Sequence, residues 1–342
     1  ARAWRNGSMR RLLNRLFLLG LLAGFGFGGW LVWYGNQPML MPGVTYPIDF
    51  TVQRGVALKT ASDSLHRDGV LTQPWAFVLI ARLKGLSGEI KAGSYALEHP
   101  VTPLALLRKI TEGDTVLGKL ALIEGWSFQD MRRSVAANPA LRHDTLAMSD
   151  AALLQAVGAS EAHPEGLFFP DTYFFDRGSS ELALYKRAYS AMQENLKAQW
   201  ASRAPAGLPY RTPYEALIMA SIIEKETGAA EERPQIAAVF VNRLRIGMRL
   251  QTDPTVIYGL GTRFDGNLRR DDLLADTPYN TYTRGGLPPT PIALPGLAAI
   301  QAALHPDSSK ALYFVAKGSG RHVFSETLDA HNRAVARYQK GR

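Results

Sequence analysis

Residues 212–228 read TPYEALIMASIIEKETG and carry more structural information than any other stretch of the 342-residue chain. The stretch opens with a capping box, and Pro213 stands at the first helical position. The residues that follow are apolar almost all round, which predicts a helix buried in a core, and Gly228 ends it. Two acids, Glu224 and Glu226, therefore fall at the C-terminal end of a buried helix.

A carboxyl group at this end of a helix is in an unfavourable place for a negative charge. Burial raises a carboxyl pKa, and the helix dipole is negative at the C-terminus. The group can therefore keep its proton near neutral pH, as a general acid must. Two interpretations stay open. Either one acid is catalytic, or Glu224 and Glu226 are exposed and pair with Lys225 or Arg233. Periodicity alone does not separate the two acids.

The segments downstream supply groups that suit sugar binding. Residues 248–254 read MRLQTDP, and residues 277–291 read TPYNTYTRGGLPPTP. Tyrosine rings stack on sugar faces, and Asn and Gln side chains hydrogen-bond to hydroxyl and acetamido groups. A buried acid beside such loops fits a cleft for a polysaccharide, although the same tyrosines would also suit plain core packing. The candidate substrate-binding residues are Gln251, Asp253, Tyr258, Tyr279, Asn280 and Tyr282.

The N-terminal region predicts a membrane-spanning helix. Residues 16–34 hold no formal charge, and as a helix they would span roughly 28 Å, close to the ~30 Å hydrocarbon core of a bilayer. The first 37 residues carry five arginines and no acid, and no charge follows Arg15 until Asp49. The positive-inside rule then places residues 1–15 in the cytoplasm and the rest outside. An aromatic belt at the outer interface would consist of Trp30, Trp33 and Tyr34.

A cleaved signal peptide is the alternative for this region. The apolar run is longer than the core of a signal peptide, and no A-x-A cleavage pattern follows it. We therefore expect a retained anchor. Met9, followed by two arginines, resembles a natural start, which would make residues 1–8 upstream sequence.

The residues after the anchor predict two further parts. Residues 35–47 contain three prolines and predict an extended linker. Residues 48–118 follow the order strand, helix, helix, strand, with a third helix behind, a small module that would serve as a spacer or as a groove for a glycan chain. Residues 119–342 mix helices with short strands. Within them, residues 128–158 predict a helical region without clear breaks, and the C-terminal 40 residues predict a hairpin followed by a helix.

Composition excludes several classes of protein. The 305 residues after the first 37 hold 34 basic and 30 acidic side chains, so most of the net charge of +9 is a topological signal. It gives no reason to expect nucleic acid as a partner. The absence of cysteine excludes disulfides, thiolate metal sites and a cysteine nucleophile. The seven histidines lack the spacing of metal ligands, so we expect no metal and no cofactor.

Several ordered motifs resemble those of the membrane-bound endolytic murein transglycosylases, the MltG or YceG-like family. The resemblance implies an α+β fold with an N-terminal transmembrane helix, a small LysM-like βααβ module and an α+β catalytic domain. The motifs that carry it are residues 165–173, 221–226, 239–244, 248–256, 278–282, 286–289, 312–315 and 322–325.

The resemblance also implies domain boundaries, a location and partners. We expect the bacterial inner membrane, crossed once, with the N-terminus cytoplasmic and the catalytic domain periplasmic. The implied partners are peptidoglycan glycan strands, the membrane and cell-wall synthases (penicillin-binding proteins). The expected parts are a cytoplasmic N-terminus (1–15), a transmembrane helix (16–34), a linker (35–47), a LysM-like module (48–118) and a catalytic transglycosylase domain (119–342).

Finally, the resemblance implies a reaction, the non-hydrolytic cleavage of MurNAc-β-1,4-GlcNAc bonds in nascent strands to give 1,6-anhydroMurNAc ends. The catalytic acid of the family falls on Glu224, which would protonate the glycosidic oxygen and then, as a base, deprotonate the C6 hydroxyl. A hydrolytic muramidase is one alternative, and a non-catalytic, membrane-tethered wall-binding scaffold is another. The muramidase would need a second carboxylate, for which the candidates are Glu226, Asp253, Asp171 and Glu165.

Overall fold

The computed structural model of the chain describes residues 2–39, 46–53, 55–204, 207–318 and 320–339. Helices and short strands are mixed throughout these ranges, so the predicted α+β class is confirmed. The chain divides into two compact units. Unit 1 contains Ala1–Gly118 and Phe175–Gly178, and unit 2 contains Lys119–Phe174 and Ser179–Arg342.

Unit 1 begins with a long helix and continues as a small module. β1 and β2 of the module pair antiparallel, with Ile48 opposite Leu97 and Val52 opposite Gly93. The predicted order of strand, helix, helix and strand is therefore the observed one, while the LysM-like character of the module stays a prediction. The elements are α1 (Arg2–Asn36), β1 (Ile48–Val52), α2 (Leu58–Arg67), α3 (Pro74–Leu83), β2 (Gly93–Leu97), α4 (Pro103–Glu112) and β3 (Leu117–Ala121), whose last residues belong to unit 2.

The core of the module takes one face from each element. Phe50 and Val52 alternate with exposed residues along β1, as expected for a strand with one covered face. Leu65 of α2, Phe77 of α3 and Ile110 of α4 are among the apolar side chains that fill the space behind the two strands. Helix α4 is fixed at its start by the Thr102 hydroxyl, which accepts a hydrogen bond from the backbone N–H of Ala105.

The end of α1 belongs to this core as well. Among the described helices, the segment Leu13–Asn36 is long and apolar enough to cross a membrane. Its last turns are covered by the module, because Leu31, Tyr34 and Met39 are buried in the same cluster as Phe77. Met39, in the first residues of the predicted linker, is thus packed against the module. Residues 40–45 of the predicted linker lie outside the described residues.

Unit 2 is built around one buried helix, α8. Its apolar residues from Ala216 to Ile223 are all buried, and α7, α9, α10 and α12 pack around it. The Thr212 hydroxyl accepts from the N–H of Glu215 at its start, as the sequence predicts. The helices of unit 2 are α5 (Phe128–Ala136), α6 (Asp150–Val157), α7 (Glu181–Ala201), α8 (Pro213–Glu226), α9 (Arg233–Arg245), α10 (Asp253–Leu260), α11 (Arg270–Leu274), α12 (Leu297–Leu304) and α13 (Leu328–Tyr338).

The strands of unit 2 are short and paired in twos. β7 and β8 form the predicted C-terminal hairpin, with Tyr313 opposite Ser325 and Ala316 opposite His322. α13 packs against this hairpin. The hairpin strands are β7 (Tyr313–Gly318) and β8 (Arg321–Ser325). The other strands are β4 (Leu141–Arg142), which pairs with β6 (Ser179–Ser180), and β5 (Thr172–Asp176), which pairs with β3 and whose last two residues belong to unit 1.

The region 128–158 differs from the prediction of one unbroken helical segment. It contains α5 and α6 with β4 between them. Each helix has its own serine N-cap, since Ser127 accepts from the N–H of Asp130 and Ser149 accepts from the N–H of Ala152. Two separate caps therefore specify two helices where the apolar pattern indicated one.

Candidate active site

The end of α8 directs its two carboxyl groups to different surroundings. Successive residues of an α-helix are turned by about 100°, so Glu224 and Glu226 are turned by about 200° from each other. One site cannot hold both side chains. Their partners therefore decide which of them is placed for chemistry.

Glu224 lies on the face of α8 that holds the loop before α12. One turn earlier on this face, the Ser221 hydroxyl accepts from the N–H of Ile292 at 3.0 Å. Glu224 Oε2 accepts from the N–H of Gly296 at 2.9 Å, at the N-terminus of α12, where an anion is favoured. The two contacts fix the loop to the helix.

The other oxygen of Glu224 is also occupied. Oε1 accepts from Nη2 of Arg233 at 3.2 Å, and only 6% of the Glu224 side chain is exposed. Burial raises the pKa of Glu224, while the Gly296 N–H and Arg233 act in the opposite direction. A Cβ atom on Gly296 would lie 1.9 Å from Oε1 of Glu124, so a larger residue here would require the exposed Glu124 side chain to move. The whole arrangement is that of a buried ion pair that fixes a loop.

Glu226 lies on the opposite face and lines a cavity of about 480 Å³. Its Oε1 accepts a hydrogen bond from the hydroxyl of Thr252. Burial raises the pKa of Glu226, and the charge of Asp253 adds to this effect, whereas Thr252, His322 and Arg243 oppose it. A carboxyl with a raised pKa beside an open cavity has the two properties that a general acid needs.

Three of the predicted substrate-binding residues line the same cavity as Glu226: Gln251, Asp253 and Tyr282. The Tyr282 hydroxyl donates to Oδ1 of Asp253 at 2.6 Å. The N–H of Gln251 donates to the carbonyl of Thr281 at 3.2 Å, so the segment before α10 and the loop around 281 are held together. The structure thus brings three of the six candidates together in one wall of this cavity.

Gln251 has an unusual backbone conformation. Its φ is +49°, in the left-handed region, and it is the one non-glycine residue in the described part of the chain with a positive φ. A left-handed conformation costs a residue with a side chain of the order of 1 kcal/mol. Such a conformation persists where the surrounding contacts impose it, and here it occurs at a residue that lines the cavity beside Asp253.

Asn280 is fully buried and its side chain is used inside the protein. Its Nδ2 donates to the carbonyls of Leu273 and Ala275 at 3.0 and 2.7 Å, and its Oδ1 accepts from the N–H of Tyr282 at 2.8 Å. Asn280 thus shapes the loop that presents Tyr282 and does not itself line the cavity.

Tyr258 and Tyr279 lie in a separate cluster around a buried acid, Glu165. The Tyr258 hydroxyl donates to Oε2 of Glu165 at 3.1 Å, and the two tyrosine rings meet edge to face at 4.8 Å. Oε1 of Glu165 accepts from the N–H of Phe128 at 2.8 Å, at the start of α5. Burial raises the pKa of Glu165 to about 7. This acid is therefore perturbed as well, but its oxygens are bonded within the fold.

Of the proposed second carboxylates, Asp253 shares the cavity with Glu226, while Glu165 does not. Asp171 is exposed, and its Oδ1 accepts from the N–H of the next residue, Thr172, at 2.7 Å. Within the described residues, no group of three or more His, Asp or Glu side chains is arranged to hold a metal ion.

The YceG-like family profile matches residues 50–337. The chain belongs to the YceG-like family. The endolytic murein transglycosylase of Bacillus subtilis is 32% identical over 313 residues, which cover 85% of this chain and 84% of that protein. The protein of the same name from Streptococcus pneumoniae is 28% identical over 356 residues, covering 94% of this chain and 64% of that protein.

A solved structure agrees with this assignment. The crystal structure of a YceG-like protein from Listeria monocytogenes superposes with a TM-score of 0.55 at 33% identity, and covers 84% of this chain and 98% of that one. The resemblance to the YceG-like family that the motifs indicated is therefore confirmed.

In this member of the YceG-like family, several residues of the cavity went unnoticed in the sequence. His322 of β8 lines it, and its ring Nδ1 lies 2.7 Å from Oε2 of Glu232. The predicted hairpin is the sequence feature that could have indicated His322 as a cavity residue. It pairs His322 with Ala316, which lies on the same face of β7 as Phe314, and all three residues line the cavity. Another wall comes from Leu328, His331 and Val335 of α13 and from Gln339, the residue after its end.

Arg243 of α9 is the buried cation of this cavity. Its Nε donates to the carbonyl of Leu312 at 2.7 Å, and its Nη1 donates to the carbonyl of Leu250 at 2.6 Å. The guanidinium thus connects the start of the hairpin to the segment that carries Gln251. It also supplies positive charge near Glu226, and burial lowers its pKa.

Proposed function

We propose that this chain is an endolytic murein transglycosylase, which cuts MurNAc-β-1,4-GlcNAc bonds within peptidoglycan strands and leaves 1,6-anhydroMurNAc ends. Membership of the YceG-like family and the names of the B. subtilis and S. pneumoniae relatives support this activity. The observation that carries the proposal is the cavity in which Glu226 meets Gln251, Asp253 and Tyr282.

The proposal takes Glu226, and not Glu224, as the catalytic acid. The resemblance of the motif had selected Glu224, but both oxygens of Glu224 are bonded, to Arg233 and to the N–H of Gly296. Glu226 lines the cavity with three sugar-binding candidates, and the charge of Asp253 favours its protonated form. Geometry comes before pKa in choosing a general acid, because the pKa values of both carboxyls are raised.

The first chemical step breaks the glycosidic bond. Thr252 donates to Oε1 of Glu226, so the proton of the neutral carboxyl is carried by Oε2. That proton passes to the glycosidic oxygen as the bond from this oxygen to C1 of MurNAc breaks. The bonding electrons leave with the GlcNAc oxygen, and C1 acquires oxocarbenium character. The negative charge of Asp253 in the same cavity stabilises this developing cation.

The second step closes the anhydro ring. Glu226, now a carboxylate, removes the proton of the C6 hydroxyl of the same MurNAc, and O6 forms a bond with C1. The carboxyl returns to its protonated state without consuming water. Thr252 stabilises the intermediate carboxylate by its hydrogen bond, and His322 and Arg243 lower its energy further.

Tyr282 and Gln251 are proposed to bind sugar groups during these steps. Tyr282 is oriented by its hydrogen bond to Asp253, and Arg249 Nη1 donates to the Tyr282 carbonyl at 2.9 Å. Gln251 presents an amide that can bond to an N-acetyl group. Tyr258, Tyr279 and Asn280 are given supporting roles, since their polar atoms bond to Glu165, Thr290 and the loop backbone.

Hydrolysis is the competing reaction, because Asp253 lines the same cavity as Glu226. A muramidase would use Asp253 to activate water or to attack C1. Mass analysis of digested glycan strands separates the two reactions. Transglycosylation gives anhydro ends that are one water lighter than reducing ends. If all product ends are reducing ends, the reaction is hydrolysis and not the proposed transglycosylation. Binding without any cleavage would favour the wall-binding scaffold.

We also propose where the enzyme is anchored and which partners it has. We infer that α1 is a single-pass inner-membrane anchor with a cytoplasmic N-terminus, and that unit 2 acts in the periplasm on nascent strands. The arginines before the apolar segment support this topology. Residues 48–118 are proposed as a LysM-like glycan-binding module, and cell-wall synthases (penicillin-binding proteins) as partners.

A further inference from the structure

We propose that the corner of unit 1 formed by residues 72–75, with Trp75 at its tip, is seated in the outer interface of the lipid bilayer. The module is then docked on the membrane and does not hang from it by a linker. This inference rests on the proposed membrane span of α1. The occupant of the surface is the lipid interface itself.

Trp75 is joined to α1 by a stack of aromatic rings. Its ring lies 5.3 Å from that of Trp30 at an interplanar angle of 10°, and 6.2 Å from that of Phe27 at 15°. Trp30 stacks in turn on Tyr34 at 5.5 Å. The Tyr34 hydroxyl donates to the carbonyl of Gln73 at 3.3 Å. Four rings and a hydrogen bond therefore fix the corner to the side of the helix.

The position of the ring stack along α1 determines how deep the stack lies in the bilayer. Phe27 and Trp30 precede Asn36, the last residue of α1, by about 14 Å and 9 Å along the helix axis at about 1.5 Å per residue. Both residues fall inside the charge-free run of residues 16–34. If that run spans the bilayer, the ring that stacks on both of them lies at the depth of the aromatic belt, and not in the water above it.

The direction of α3 places its N-terminal end, which carries Trp75, nearest the membrane. A Cβ atom on Gly35 of α1 would lie 3.4 Å from Cδ1 of Ile80, so Ile80 is level with the end of the span. α3 therefore starts beside Phe27 and Trp30 and runs outward along α1. Leu83, at its far end, is about 12 Å further along the axis of α3 than Trp75.

The exposed surface of the corner has the chemistry of an interfacial anchor. Trp75 is 52% exposed although its ring is stacked on one side. Its indole N–H donates to Oε1 of Gln73 at 3.1 Å, so the polar edge is satisfied and the rest of the exposed ring is apolar. An amphipathic ring of this kind is favoured at the level of the lipid headgroups. Trp33 of α1 is 58% exposed and extends the belt.

The absence of cysteine from the chain allows a direct measurement of depth. Single cysteines at positions 25, 75 and 83 of the full chain would carry a spin label, in vesicles of phosphatidylethanolamine and phosphatidylglycerol. We expect the label at 25 to collide with oxygen and not with a water-soluble nickel chelate. The label at 75 should also favour oxygen, and the label at 83 should favour the chelate.

The three positions separate the possible failures. An aqueous label at 75 together with a lipid-buried label at 25 would overturn the docking and leave the anchor intact. Aqueous labels at both positions would overturn the anchor and the docking together. Cleavage of glycan strands is measured separately and depends on neither result.

A second measurement keeps the native ring in place. The fluorescence of wild type minus that of a Trp75→Phe variant isolates the signal of Trp75. Lipids brominated high on the acyl chain should quench this difference signal. An unchanged difference signal in brominated vesicles would contradict the proposal.

Discussion

Glu224 and Glu226 are the same residue type, stand two positions apart at the end of one helix, and both have a pKa raised by burial. Their partners differ. Glu224 bonds to a guanidinium and a backbone N–H, and so holds α8, α9 and the start of α12 together. Glu226 bonds to one hydroxyl and lines an open cavity. The comparison teaches that a perturbed pKa marks a buried acid, whereas the neighbours determine whether that acid can reach a substrate.

The largest expected effect is that of Glu226→Gln. The amide keeps the shape of the side chain but has no acidic proton, so kcat should fall about 10²–10⁴-fold. Stability should stay close to that of the wild type, because a buried carboxyl is replaced by a neutral group. The release of anhydro-muropeptides measures turnover, and thermal unfolding measures stability. Wild-type turnover in this variant would remove Glu226 from the mechanism.

Glu165 sharpens the comparison as a third buried acid, whose two oxygens bond to the Phe128 N–H and the Tyr258 hydroxyl. Its pKa is raised from 4.5 to about 7, so the folded protein holds this proton more tightly than the unfolded chain does. The resulting stabilisation is complete below pH 4.5 and is lost as the pH rises through 7. Relative to Glu165→Gln, the wild type should lose about 3 kcal/mol of unfolding free energy between pH 4 and 8. Urea unfolding at both pH values tests this, and parallel curves would contradict it.

Glu224→Gln should act mainly on stability. It leaves the Arg233 guanidinium buried without a counter-charge, which costs about 1.5–3 kcal/mol of unfolding free energy. The effect on kcat should stay below about tenfold, a size that repositioning of nearby groups can produce. Arg233→Gln serves as the matched control, since the double variant should recover part of the loss. A stable but inactive Glu224→Gln protein would reverse the assignment of the two acids.

Asp253→Asn should change the pH dependence of turnover. The acid must be protonated, so activity falls as the pH rises through the pKa of Glu226. Removing the charge of Asp253 lowers that pKa, and the alkaline limb of the pH–rate profile should move to lower pH. A loss of about tenfold in kcat should accompany the shift, because a charge that stabilises the transition state is removed. An unshifted limb would mean that Asp253 does not influence Glu226.

Gln251→Gly is expected to raise stability slightly and to lower turnover. Glycine removes the strain of the left-handed conformation at φ +49°, so stability should rise by about 0.5–1 kcal/mol. Turnover should fall because the amide is lost. Gln251→Asn is the control that keeps an amide. Reduced stability of the glycine variant would show that no strain is stored at this position.

The two acids also show how far the sequence could be read. The caps and apolar run of α8 are local features, and they predicted the helix, its burial and the position of both carboxyls. The turn of about 200° between Glu224 and Glu226 was predictable too. Which face of α8 lines the cavity could not be predicted. The walls of the cavity come from residues 251–253, Tyr282, the β7–β8 hairpin and α13. Those contacts are long-range and leave no local pattern.

The loop residues illustrate the same limit. Composition predicted the segments around Gln251 and Tyr282 as candidate sugar-binding loops, and both contribute to the cavity. Asn280 has the same chemistry in the sequence, yet its amide is bonded to the carbonyls of Leu273 and Ala275. Only the path of the backbone decides whether an amide in such a loop faces outward or caps the loop itself.

We propose that Glu226 is the proton donor and that Glu224 is a structural ion-pair partner. The most direct test is the ratio of kcat for Glu224→Gln to kcat for Glu226→Gln, measured side by side on the same glycan strands with both proteins shown to be folded. The Glu224→Gln variant should turn over at least tenfold faster than the Glu226→Gln variant. Equal rates, or a faster Glu226→Gln variant, would contradict it.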